Sequence, residues 1–182
     1  MNMVVRAPAV PMPTERAHRW AVAGIGGFIA VALLGRYGLD AQGVMYAFLA
    51  VVLVLISAID IERRIIPNRI VLPSIAIVLG IQLVFYPEHA LEWVLAAVGA
   101  GLFFLLPLLV YPSGLGLGDV KLAMLLGAAL GMDVMGALLI GLLGGAVVAA
   151  VILFRGGSSA RKTAIPFGPF LAFGALFSLL FL

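Results

Sequence analysis

Eight carboxylates occur in a chain of 182 residues that is 64% hydrophobic and only 10% charged. Glu15 lies in a proline-rich N-terminal stretch, and Asp40, Glu88, Glu92 and Asp133 fall in short loops, where solvation or helix capping accounts for them. Asp60, Glu62 and Asp119 remain, each at the edge of an apolar run. Asp60 closes one such run within SAIDIERRIIPNRIVLP, residues 57–73. It either pairs with Arg63 or Arg64 at a membrane interface or does chemistry. At a helix C-terminus the macrodipole disfavours an anion, so Asp60 needs a compensating group or a proton. Asp119 follows Gly116-Leu117-Gly118 and precedes Val120-Lys121. It either caps a helix or stands where glycines let an extended peptide backbone approach closely. Two carboxylates sharing one site do not readily both ionise, and such a pair can serve as base and acid toward a water attacking a carbonyl. The chain has no cysteine, which excludes disulfides, thiolate metal sites and a cysteine nucleophile. His18 and His89 are expected on opposite membrane faces, so no metal site and no cofactor is expected.

The elements that must carry these acids are transmembrane helices. Mean hydropathy is +1.25, and soluble domains carry roughly 25% charged residues, so a water-soluble fold is excluded. Apolar stretches at 20–35, 43–60, 69–86, 90–111, 119–131, 133–154 and 166–182 are expected to form an all-α, polytopic bundle of about seven spans. A span needs roughly 17–25 such residues. The fifth stretch, at about 20 Å as a helix, must start or end below the membrane surface, or the bilayer must thin around it. Residues 1–17 are expected to be a disordered cytoplasmic tail and 18–182 one membrane-embedded domain. With a cytoplasmic N-terminus and seven crossings, every Lys and Arg except Arg36, of 11 in all, falls on the cytoplasmic side, as the positive-inside bias requires. Asp60 and Asp119 then share the cytoplasmic face. The net charge of +3 is accordingly an orientation signal, and no nucleic-acid partner is expected. Gly127 with Gly131, and Gly141 with Gly145, provide small faces for close helix packing. Pro107 should loosen the fourth helix.

Gly116-Leu117-Gly118-Asp119, followed by Val120-Lys121-Leu122, resembles the GxGD signature of type IV prepilin peptidases, and less closely that of other GxGD intramembrane aspartyl proteases. Ile59-Asp60 through Ile66-Pro67-Asn68 resembles that family's first aspartate motif, and Ile165-Pro166-Phe167-Gly168-Pro169-Phe170-Leu171 its Pro-Phe-Gly-Pro segment. The resemblance implies a multi-pass protease of the cell membrane. Asp60 and Asp119 would be its catalytic pair, cutting a short basic leader from prepilin- or pseudopilin-like proteins at the cytoplasmic face. Gly116, Gly118, Pro67, Asn68, Pro166, Gly168 and Pro169 would be motif positions around the substrate, and Glu62 an auxiliary acid. Lys121 would either lower the pKa of Asp119 or bind lipid phosphate, the lipid role being preferred. Many bacterial members carry a cysteine-bearing domain linked to N-methylation of the product. The chain has no cysteine and no loop of that size, so it resembles the peptidase-only form. Two other functions compete: a proton- or ion-coupled transporter with Asp60 and Asp119 as carriers, and an inactive pilus or secretion assembly factor on the same scaffold. No acid stands at the middle of a span, and no second copy of the Asp60 segment occurs, as a transporter of repeated halves would show.

Overall fold

The computed structural model describes residues 13–110, 116–156 and 165–182. Among the described residues seven α-helices follow one another: α1 (Pro13–Tyr37), α2 (Ala41–Arg63), α3 (Asn68–Phe85), α4 (Ala90–Val110), α5 (Leu117–Leu130), α6 (Val134–Gly156) and α7 (Gly168–Phe181). Short 3-10 turns at Pro87–His89 and Gly131–Asp133 join α3 to α4 and α5 to α6. Among the described residues there is no strand. α1 starts within the stretch expected to be tail, and residues 1–12 lie outside the described residues.

Five helical stretches are long and apolar enough to cross a membrane: Arg19–Tyr37, Ala41–Arg63, Asn68–Phe85, Pro87–Val110 and Leu117–Arg155. The last of these is broken at Gly131, whose φ of +59° suits a residue without Cβ, and so yields both α5 and α6. α7, at 14 residues, is shorter. The expected segments therefore all appear as helices, two of them too short to cross a full bilayer without tucking below its surface.

The bundle is organised around α2 and α5. On α2 the buried positions Met45, Leu49, Leu53, Ile56 and Asp60 recur every three or four residues, which places them on one face. α5 is buried on nearly every side, including Leu122, Ala123, Leu125, Leu126, Ala128 and Ala129. It touches α2, α3, α4, α6 and α7. Small residues allow this crowding: a Cβ at Gly127 would run into the backbone of Ala96 and Ala97 on α4. Gly141 and Gly174 likewise bring α6 and α7 into backbone contact, Gly174 facing Ala137 and Gly141 facing Phe170 and Leu171. Of the aromatic residues, Phe104 is in the core, whereas Trp20, Phe28, Phe103 and Phe154 face outward, as lipid permits. α4 runs through Pro107 without a break.

Successive helices run up and down, so one end of the bundle collects the C-terminus of α2 and the N-termini of α3, α5 and α7. The other end holds Asp40, which caps α2 by accepting from Gly43 N–H at 2.8 Å, and the His89–Glu92 pair at 3.4 Å. The two ends thus separate the loop acids from Asp60 and Asp119.

Candidate active site

Asp60 sits on the last turn of α2, and the turn that follows it has an unusual backbone. Arg64 caps the helix in the left-handed region, with φ of +55° and ψ of +39°, and its N–H donates to the Asp60 carbonyl at 2.8 Å. Helices often end this way, but usually on glycine; a residue with Cβ there costs roughly 1–2 kcal/mol. The turn reverses the chain within a few residues, and Pro67 then starts α3 with an extended backbone at φ −73°, ψ 122°. A proline before the first helical turn loses no hydrogen bond, since those N–H groups have no partner within the helix.

The Asp60 side chain is buried, 5% exposed. Its Oδ2 accepts the N–H of Gly168, the first residue of α7, at 2.9 Å. This is the compensation that its place at a helix C-terminus demands. The N-terminus of α7 offers it the positive end of a dipole and a fixed donor, where α2 offers a negative end. Gly168 is required by contact: a Cβ there would stand 2.9 Å from Asp60 Oδ2 and 3.3 Å from its Cγ.

Asp119 is the third residue of α5. Its Oδ2 accepts the N–H of Gly116 at 3.0 Å while Asp119 N–H donates to the Gly116 carbonyl at 3.0 Å. The expected alternative of a helix cap is therefore realised in part: Asp119 reaches back from the first turn, and Gly116 itself occupies the cap position. Capping uses one oxygen and leaves Oδ1 with no bond among the described residues. Asp60 is likewise held through Oδ2 alone. Among the described residues, each carboxylate is oriented by one backbone N–H and its second oxygen makes no bond.

Both aspartates line one open cavity of about 470 Å³. Its walls come from three separate chain segments: Asp60 with Arg64, Ile65, Ile66 and Asn68; Gly116 through Asp119 with Lys121; and Ile165 through Phe167. Gly118 permits the first two to meet, since a Cβ there would lie 2.8 Å from Ile66 Cβ. Three helices begin at this cavity, so three positive dipole ends converge where the carboxylates stand. Lys121 Nζ donates to Asn68 Oδ1 at 2.8 Å across the mouth. Among the described residues no group of His, Cys, Asp and Glu could hold a metal ion.

Of the motif positions, Asp60, Asn68, Gly116, Gly118, Asp119, Lys121 and Pro166 border the cavity, Gly168 touches Asp60, and Pro67 and Pro169 shape the helix starts of α3 and α7. Glu62 is not brought to them. It lines a separate apolar groove of about 320 Å³ between α1 and α2, together with Arg19, Gly26, Val51 and Leu55. Two residues on from Asp60, it points about 200° round the helix. Arg64, expected only as a partner of Asp60, and Ile66 and Phe167, quoted only within their motifs, also line the cavity. The charged string after Asp60 and the Phe between two motif prolines were the signals available.

A family model described as the type IV leader peptidase family matches residues 47–154 of the chain, a stretch that includes both aspartates. The chain is 34% identical over 151 residues to a prepilin leader peptidase/N-methyltransferase of Xanthomonas campestris pv. campestris, covering 79% of this chain and 52% of that protein. It is 35% identical over 160 residues to a protein of the same name from Burkholderia pseudomallei, covering 84% and 50%. A third of that name, from Bacillus subtilis, is 28% identical over 151 residues, covering 80% and 59%. The chain spans about half the length of the curated relatives it matches. No solved structure matches it.

Proposed function

The chain belongs to the type IV leader peptidase family, and from that premise we propose that it is an integral-membrane aspartyl endopeptidase that removes a short basic leader from prepilin-like proteins. The observation that supports this most is the sharing of one cavity by Asp60 and Asp119, each oriented by a single backbone donor. In the proposed reaction a water held between the free Oδ1 atoms attacks the scissile carbonyl. One carboxylate takes the water proton while the other gives its proton to the carbonyl oxygen. Collapse of the tetrahedral intermediate then breaks the C–N bond, and the proton taken from water passes to the leaving amine. The oxygens tied to Gly116 and Gly168 already accept one N–H bond each, which favours the other oxygen of each carboxylate as carrier of the shuttled proton.

The glycines at 116 and 118 keep that wall low enough for an extended substrate backbone. Under the charge bias of the loops, the cavity faces the cytoplasm of the cell membrane, where a leader just ahead of a substrate's hydrophobic helix would arrive. Cleavage alone is proposed for this chain; the methyl transfer in its relatives' names is not carried over.

Asp60→Asn and Asp119→Asn test the mechanism. Each is expected to insert normally and nearly to abolish cleavage of a prepilin-like substrate by the purified protein. Residues acting as one unit are non-additive, so the double variant is expected to be no less active than either single one. Wild-type cleavage by Asp119→Asn would leave that residue a helix cap and remove the assignment.

A further inference from the structure

Asp60 is fixed from the side of α7, but that bond does not set its distance to Asp119. Beside the packing of α5 on α2 and α3, the two acid-bearing segments meet at the cavity through Ile66 against Gly118 and Asn68 against Lys121. The first is close apolar packing with no directional bond. The second is a directional, charge-assisted but solvent-exposed hydrogen bond between residues 53 apart in sequence. At the far end of the same helix pair, Gln82 Nε2 donates to the Ala129 carbonyl at 3.2 Å. α3 and α5 are therefore tied at both ends, and the tie at the cavity is Asn68–Lys121.

We propose that Asn68 and Lys121 are positioning residues, a clasp between the N-terminal turns of α3 and α5 that holds Asp60 and Asp119 at their working separation. This rests on the aspartyl protease reading above. The types suit the task. Lys121 has the reach to cross from α5, and it lies two residues from Asp119, a spacing at which helix side chains do not face each other. Asn68 accepts its ammonium without contributing a third carboxylate to a cavity that already holds two. Asn68 is also the first residue of α3, directly after the Pro67 turn. A pull on its side chain thus acts on the short connection that leads back to Asp60.

The experiment is a mutant cycle on the purified full chain, with cleavage kinetics on a prepilin-like peptide. Asn68→Leu and Lys121→Met are each expected to lower kcat roughly ten- to a hundredfold, the scale of a displacement of about an ångström at an active site. KM is expected to stay within about twofold, because neither residue binds substrate in this scheme. The double variant is expected to match the worse single one, and Asn68→Gln, which keeps a neutral amide acceptor, to recover part of the lost kcat. If Asn68→Leu does not insert, Asn68→Ala takes its place in the cycle. An effect of Lys121→Met confined to KM would make Lys121 a substrate contact and overturn the clasp. Normal kcat in Asn68→Leu, or additive losses in the double variant, would overturn it equally. Failure of the clasp with Asp60→Asn and Asp119→Asn still inactive leaves the protease reading standing. Activity in those two aspartate variants would end both.

Discussion

Gly168→Ala isolates what the N-terminus of α7 does for Asp60. The added Cβ would stand 2.9 Å from Oδ2, 3.3 Å from Cγ and 3.4 Å from Cβ of Asp60, whereas carbon atoms pack at roughly 3.5–4.0 Å. The carboxylate must withdraw by roughly half an ångström, which stretches the 2.9 Å bond from Gly168 N–H beyond useful hydrogen-bond length. A bond to a charged group contributes about 1.5–3 kcal/mol. If that orientation is needed in the transition state, kcat falls roughly 10- to 150-fold. Stability should fall by less than the bond alone contributes. Gly168 has no positive φ and starts a helix, where alanine is favoured over glycine by up to about 1 kcal/mol. The expected outcome is a purified variant with a thermal midpoint within a few degrees of wild type and cleavage reduced by one to two orders of magnitude. Full activity would refute the role of this bond. A loss of activity matched by a loss of stability would refute the claim that it acts on the carboxylate and not on the packing of α7.

Glu62→Gln should cleave at close to the wild-type rate, because its side chain lies in the α1–α2 groove and not among the aspartates; an inactive Glu62→Gln beside an active Asp60→Asn would move the first carboxylate by two residues. The absence of native cysteine makes labelling unambiguous: Arg155→Cys is expected to react with an impermeant thiol reagent only from the cytoplasmic side and His89→Cys only from outside, and the reverse pattern would invert the bundle. Gly127→Ala should destabilise by about 1–3 kcal/mol, the usual cost of overpacking, since its Cβ meets the α4 backbone at Ala96 and Ala97; an unchanged unfolding midpoint would show that α4 and α5 can separate freely.

The helices and the two acids were legible in the sequence for the same reason. In a chain this apolar, each interruption by charge, glycine or proline marks an end, and an acid at such an end has few bland explanations. The expected segment 119–131 became Leu117–Leu130, and 133–154 became Val134–Gly156. What could not be read was the rotation of each helix. In water the buried face of a helix shows as an apolar stripe, but lipid is as apolar as the core, so Leu53 inside and Leu55 outside look alike. Hence Glu62 was grouped with Asp60 although it faces another groove, and the reach of Lys121 to Asn68 was not foreseen. The bond between Gly168 and Asp60 was invisible for a different reason. It is made by a backbone N–H, which every residue but proline possesses, so only the absence of a side chain at 168 hinted at it.

The donor for Asp60 is encoded 108 residues after it, in the last helix of the chain. Translation proceeds at roughly 5–20 residues per second, so on the order of five to twenty seconds separate the synthesis of the two groups. In the later part of that interval Asp60 and Asp119 are both made, but Ile165, Pro166 and Phe167, which wall their cavity, and the Gly168 donor are not. A nascent chain partway through insertion therefore carries both acids without a finished site. Under the proposed reading, the docking of α7 makes completion of the site and the onset of cleavage a single event.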